Sequence, residues 1–321
     1  MRLLVTGASG FIGGAVARRA TELGCKVGLV HRGRPAESPG SDKAGTWEEW
    51  AARPASRRFD ALVHSAAVRH RHGVSPAEYV GVNLELTRKA IELARRHAKR
   101  LVLVSSVAVY GDPSQLPVDE MSPLDPVGPY GRSKIESEDA VRDSGLPFVI
   151  VQPSITYGPG DTNGMMEKIL RMVAARFFVV PGLGRSRVQL IYIDDVANAL
   201  LTACEAPAAI GSRFICTYRD PIAMADLVRL SGRAVGTWIP PIGPPVALLK
   251  AGASALDALD AAGFFRGREP PLTREKLATV AVDHAYRIDR MRQVLGFEPA
   301  IGYEEGFRRT AQALGLGPGM R

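Results

Sequence analysis

Along the first half of the chain, short apolar runs alternate with longer amphipathic stretches. Arg2–Thr6 is a brief apolar strand, Phe11–Leu23 has helical periodicity and stops at Gly24, and Lys26–Val30 is a second strand. A strand, a helix and a strand within about thirty residues predict a β-α-β unit, and so parallel strands covered by helices on both faces. Asp60–His64, Leu101–Ser105 and Phe148–Val151 read as further strands. Tyr79–His97, with its stripe of Val82, Leu86, Ala90 and Leu93, and Tyr130–Asp143 read as helices. Residues 31–58 are rich in proline and glycine and read as loops, with a short helix near Trp47–Ala52.

After Pro153 the pattern loosens. Met165–Ala175 and Asp195–Cys204 predict helices, and Val188–Ile193 an extended segment. Pro240, Pro241, Pro244 and Pro245 mark a turn before the apolar stretch Val246–Ala262, and EPPLTREKL leads to a C-terminal segment, Ile288–Leu314. The expected fold is α/β: a Rossmann-type doubly wound parallel sheet with a smaller C-terminal substrate-binding domain. With the glycine-rich turn TGASGFIG between the first strand and the first helix, residues 1–153 would form the dinucleotide-binding part, rejoined by 188–217. Residues 154–187 and 218–321 would form the substrate-binding region over the carboxyl edge of the sheet, where ligands bind in such folds.

Composition narrows the class. Of 321 residues, 46% are hydrophobic and 23% charged, which excludes a disordered chain, a fibre and a coiled coil. The absence of an eighteen-residue apolar run predicts no membrane span. MRLLVTGASG turns glycine-rich too early for a signal peptide, so a cytoplasmic location is expected. Cys25, Cys204 and Cys216 are scattered and odd in number, fitting packing residues rather than a disulfide framework. The charge is 41 basic minus 33 acidic residues, or +8. Basic residues such as Arg95, Arg96, Lys99 and Arg100 fall at helical spacing and read as a solvated surface. Without a reading element beside them, no nucleic-acid partner is expected. His70 and His72 lack a Cys or carboxylate companion, so no metal is expected.

The candidate chemistry begins at TGASGFIG (Thr6–Gly13), between the first strand and the first helix. Gly7 permits the tight turn, Gly10 admits a pyrophosphate to the backbone amides, and Gly13 lets helix and strand close up. A dinucleotide is therefore the expected cofactor. At the end of the second strand, a carboxylate would bind the adenosine ribose hydroxyls. This chain has His31, Arg32, Gly33 and Arg34 there, and the first carboxylate is Glu37. A guanidinium pairs bidentately with a 2′-phosphate, so NADP(H) is preferred over NAD(H).

Tyr130 and Lys134 are spaced i and i+4 at the start of a helix, on one face. An ordinary phenol, with a pKa of about 10, is a poor base, and a neighbouring ammonium favours the phenolate. Upstream, at a strand's carboxyl end, Ser105 and Ser106 offer hydroxyls to a reacting carbon's oxygen.

With these motifs the sequence resembles the extended short-chain dehydrogenase/reductases, the NAD-dependent epimerase/dehydratase family. The likeness rests on TGASGFIG, HSAA (His64–Ala67), Asn83, SSVAVYG, YGRSK, YGPGD (Tyr157–Asp161), YIDDV (Tyr192–Val196) and LGFEP (Leu295–Pro299). It spans nearly the whole chain, with gaps at 35–58 and 235–270. It implies that Tyr130 is the general acid/base, and that Lys134 binds the nicotinamide ribose and lowers the Tyr130 pKa. Ser106, in preference to Ser105, would orient the substrate oxygen. Gly7, Gly10, Phe11, Ile12 and Gly13 would hold the pyrophosphate, Ala66 and Ala67 would line the cofactor, and Pro153 would lie beside the nicotinamide. Asn83 would be a structural or cofactor-side residue, and a homodimer would be the assembly.

Departures from the family narrow the reaction. Dehydratase-like members carry an Asp-Glu pair after the catalytic hydroxyl residue; here Val107 and Ala108 stand there, and neither transfers a proton. Three polar handles found in many nucleotide-sugar epimerases are replaced by Gln152, Ile155 and Val188, although Arg185 and Arg187 are near. Val246–Ala262 and PPLTREKL resemble branches with apolar substrates, whereas LPVDE (Leu116–Glu120) and SPLDPVGPY (Ser122–Tyr130) resemble sugar-modifying ones. Met165, Met166, Phe177 and Phe178 would line an apolar substrate wall or pack the core. The expected function is NAD(P)-dependent hydride transfer at a secondary alcohol or ketone carbon of a small molecule. The rivals are a nucleotide-sugar 4-epimerase or sugar 4-ketoreductase with bound cofactor, and an NADP-sensing regulator without turnover.

Overall fold

The computed structural model describes residues 1–32, 43–68, 75–112, 115–162, 164–178, 180, 184–240, 243–265, 270, 273, 277 and 282–319. The first elements are β1 (Arg2–Thr6), α1 (Phe11–Glu22), β2 (Lys26–His31), β3 (Lys43–Thr46), α2 (Trp47–Ala52), β4 (Ala61–His64) and α3 (Pro76–His97). Next come β5 (Leu101–Val104), α4 (Pro129–Arg142), β6 (Phe148–Pro153), β7 (Ile155–Tyr157) and α5 (Met165–Ala174). β8 (Arg187–Val188), β9 (Leu190–Tyr192), α6 (Ile193–Glu205), β10 (Ser212–Cys216), β11 (Ile222–Ala223) and α7 (Met224–Val235) follow. The chain closes with α8 (Val246–Ala261), α9 (Asp289–Leu295) and α10 (Tyr303–Ala313).

Seven strands form one sheet in the order β10-β6-β5-β4-β1-β2-β3, and every pairing in it is parallel. Alternation along the strands assigns the two faces. Leu3 and Val5 join Val27, Leu29, Val63, Val102 and Val151 in the core under α1 and α6. Leu4 joins Val30, Leu62, Leu101, Leu103 and Ile150 under α2, α3 and α4. Burial on both faces is why these strands are nearly continuous apolar runs.

β3 corrects the sequence expectation of loops before Trp47. Lys43–Thr46 pairs with β2 from Gly28 to His31. The strand is hard to read because it is a polar edge: only Gly45 of its four residues is buried. It is held from α2, where Thr46 and Glu49 form a reciprocal capping box and Trp50 Nε1 donates to the Leu29 carbonyl at 2.9 Å.

The opposite edge is closed by a carboxylate. Glu120 Oε1 accepts from the Ile215 amide at 2.9 Å, and Val118 pairs with Tyr286 alongside. Asp195 of the YIDDV motif accepts from the amides of Ala300 and Ile301 at 3.1 and 2.9 Å. The YIDDV motif is thus joined to the two residues that follow LGFEP. Between β1 and β4 the strand order reverses, and the crevice there is where α/β sheets bind ligands.

Candidate active site

The turn after β1 is built for close backbone approach. Gly7 has φ +72°, and a Cβ on it would lie 2.6 Å from the Ala66 amide nitrogen. A Cβ on Gly13 would run into the Gly7 carbonyl and Ser65 Oγ. The glycine turn and the segment after β4 therefore lock together, helped by Ser65 Oγ donating to the Thr6 carbonyl at 2.7 Å. Gly10, exposed, begins α1 with its amide bonded to the Gly7 carbonyl at 2.8 Å. No side chain caps this helix end and no acidic residue lies in its first turn, which leaves positive backbone potential suited to an anion. Phe11 and Ile12 are half-buried against the core, and Ala66 and Ala67 are half-buried after β4. This cradle fits a dinucleotide pyrophosphate.

At the adenosine end, His31 closes β2 half-buried and Arg32 follows, exposed. Arg34 and Glu37 lie outside the described residues, as do His70 and His72.

Tyr130 stands in the first turn of α4, half-exposed, with the buried Tyr79 ring edge-on at 6.4 Å between centroids. Lys134, one turn further, is buried; its Nζ donates to the Val104 carbonyl at 2.9 Å and lies 5.7 Å from the Tyr130 ring centroid. Burial pushes the Lys134 ammonium down to about 8, and the carboxylate of Glu138 pulls the other way. Gly131 lets α4 pack closely on the turn after β5, because a Cβ there would lie 2.5 Å from the Ala108 carbonyl oxygen.

The two serines separate cleanly. Ser105 is buried, and its Oγ donates to Glu138. Ser106 begins the 3-10 turn Val107–Tyr110, half-exposed, and its Oγ accepts from the Ala108 amide at 3.2 Å. Pro153 ends β6, buried.

Asn83 fixes the loop after β4: its Oδ1 accepts from the Val68 amide at 2.7 Å and its Nδ2 donates to Ser133 Oγ at 2.9 Å. His64 bridges Thr6 Oγ1 at 2.7 Å and Thr87 Oγ1 at 3.3 Å, and burial pushes it down to about 3, so the ring is neutral.

Where epimerase-like chains carry polar handles, this chain has packing. Gln152 is fully buried between Tyr110 OH and Glu138. Val188 is fully buried opposite Ile222, whereas Arg185 and Arg187 are exposed. Met166 belongs to the core, Met165 and Phe178 pack against it, and Phe177 is 78% exposed. Cys204 and Cys216 are buried and burial raises both thiols, as packing residues require. Sequence reasoning did not find Glu138, His64 as a hydrogen-bonding bridge, or Tyr79; the one signal for Glu138 was its i+4 spacing from Lys134.

Residues 3–216 match the family model described as the NAD dependent epimerase/dehydratase family. The 2-alkyl-3-oxoalkanoate reductase of Stenotrophomonas maltophilia (strain K279a) is 29% identical, covering 96% of this chain and 98% of that protein. The UDP-glucose 4-epimerase of Vibrio cholerae is 25% identical, covering 97% and 94%. The crystal structure of gox2253 superposes with a TM-score of 0.78 at 27% identity, covering 97% of both chains. By its glycine turn, its parallel sheet and this match over two-thirds of its length, the chain belongs to the NAD dependent epimerase/dehydratase family, whose NAD(P)-dependent enzymes include reductases and epimerases.

Proposed function

We propose that this protein is a ketoreductase/alcohol dehydrogenase acting on a secondary alcohol or ketone carbon of an apolar small molecule, with NADP(H) preferred and a homodimer as its working form. The observation that carries the reading is the placement of Lys134 between the Val104 carbonyl and the Tyr130 ring, with Ser106 at the end of the same strand β5. When bound, the nicotinamide cofactor supplies or accepts the hydride. Tyr130 holds the proton that moves to or from the substrate oxygen, and Ser106 Oγ orients that oxygen. Lys134 binds the ribose beside the nicotinamide and stabilises the Tyr130 phenolate. The glycine turn holds the pyrophosphate. Placement and preorganised charge are the sources of rate.

Three observations support an apolar substrate. Val188 and Gln152 are committed to the core, which removes handles for a sugar nucleotide. The helix α8 is largely apolar, with Lys250, Ser254, Asp257 and Asp260 as its polar positions, and only Ala253 of it is buried; Leu248 is 64% exposed. The Stenotrophomonas relative, similar over almost the full chain, is named as a reductase of 2-alkyl-3-oxoalkanoates, a substrate that joins a ketone to alkyl chains. No helix among the described residues is long and apolar enough to cross a membrane.

The test is titration of the purified protein with NADPH and NADH after checking for cofactor already bound. Reversible binding to an empty protein, tighter for NADPH, is expected. NAD retained through purification, with interconversion of UDP-glucose and UDP-galactose, would replace this reading with epimerisation.

A further inference from the structure

Glu138 is a fully buried carboxylate on α4, one helical turn beyond Lys134. Its Oε1 accepts from Ser105 Oγ and from Gln152 Nε2, the latter at 2.9 Å. Ser105 immediately precedes Ser106, and Gln152 immediately precedes Pro153. One oxygen thus ties together the carboxyl end of β5, the carboxyl end of β6 and the helix bearing Tyr130 and Lys134. Its other oxygen, Oε2, accepts no hydrogen bond among the described residues; it lies 3.5 Å from Arg142 Nη2 and 4.0 Å from Arg213 Nη1. Both arginines are partly exposed, so water screens their charge more than it screens that of Glu138.

A buried charge is costly, and an apolar residue of similar volume would usually serve stability as well. What the charge adds is an electrostatic partner for the buried Lys134, whose ammonium is otherwise disfavoured by desolvation.

We propose that Glu138 is a positioning residue of the active site: it clamps the ends of β5 and β6 to α4 and is the buried countercharge of Lys134. The inference rests on the reading of Lys134 as a cofactor-binding cation. The groups facing the pair are His64 from β4, which is neutral, Tyr130 and Arg142 from α4, Arg213 from β10, and Tyr110 from the turn after β5. Of these, the arginines oppose the ammonium and none replaces the carboxylate.

The experiment is NADPH affinity, followed by fluorescence from pH 6.5 to 10, for the wild type, Glu138→Gln and Lys134→Met. The wild type is expected to lose affinity as Lys134 loses its proton. In Glu138→Gln, which keeps the shape and acceptor oxygen, that loss should move to lower pH by about one to three units. In Lys134→Met the transition should vanish. A transition in Glu138→Gln at the wild-type pH, with none in Lys134→Met, overturns the role of Glu138 and leaves the site reading intact. A transition that persists in Lys134→Met overturns both. If the Gln variant does not fold, Glu138→Met, which fills the space without a charge, carries the same expectation.

Discussion

The Lys134 ammonium donates to the Val104 carbonyl at 2.9 Å and sits 5.7 Å from the centre of the Tyr130 ring. One contact fixes the lysine to the sheet and the other sets it beside the phenol. Helical spacing alone puts Tyr130 and Lys134 on one face. β5, ending at Val104, supplies the carbonyl that holds Lys134, and Ser106 follows two residues later. The site is therefore a product of sheet topology as much as of motif.

If Tyr130 moves the proton, Tyr130→Phe should lower turnover of a 2-alkyl-3-oxo acid by about 10²- to 10⁴-fold. Steady-state rates with NADPH measure this. Cofactor affinity should change little, because the Lys134 anchor on Val104 is untouched. Affinity lost in parallel with rate would point to a collapsed site instead.

Gly13 tests the cradle. A Cβ there would press on the Gly7 carbonyl and Ser65 Oγ, both held in place by further hydrogen bonds. Gly13→Ala should cost about 1–3 kcal/mol by overpacking and weaken NADPH binding. Gly81→Ala in α3, where nothing lies within 4 Å of the added carbon, should be neutral or stabilising by about 0.4–1 kcal/mol. Denaturant melts of the two variants compare them directly.

His64 gives a pH dependence with a definite sign. Well above pH 6.5 it is neutral in the folded and unfolded chain alike. As pH falls from 6.5 towards about 3, the unfolded chain takes up a proton that the buried ring refuses, so stability is lost. The slope from this residue is about 1.4 kcal/mol per pH unit. His64→Asn, which keeps polar atoms toward Thr6 and Thr87, should lose less stability between pH 6 and 4.5 in chemical denaturation.

Arg32 is exposed at the end of β2, where a 2′-phosphate would lie. Arg32→Ala should reduce the preference for NADPH over NADH by about tenfold, the worth of one charge-assisted hydrogen bond. The ratio of dissociation constants for the two cofactors is the readout, and an unchanged ratio would assign the phosphate to other residues.

Much of this architecture was written locally in the chain. Leu3, Leu4 and Val5 are all fully buried because helices cover both sheet faces, so the strand stands out as an apolar run. β3 did not stand out, because an edge strand of sequence KAGT buries one glycine and owes its place to Thr46 and Trp50. At the site, TGASGFIG and the Tyr130–Lys134 spacing are contiguous signals. Glu138 was not legible, since its partners Ser105 and Gln152 come from two different strands and its helix is largely polar. The loss of a handle at Val188 was visible as a substitution, but its meaning needed the structure: the residue is core, paired with Ile222.

The most direct measurement is deuterium transfer from NADPH deuterated at both C4 positions to a 2-alkyl-3-oxo acid, read by mass spectrometry of the product. Wild-type protein should place one deuterium on the new carbinol carbon, and Tyr130→Phe should yield almost none. Failure to consume NADPH with any ketone, alongside interconversion of a UDP-hexose by protein that retains NAD, would contradict the ketoreductase reading.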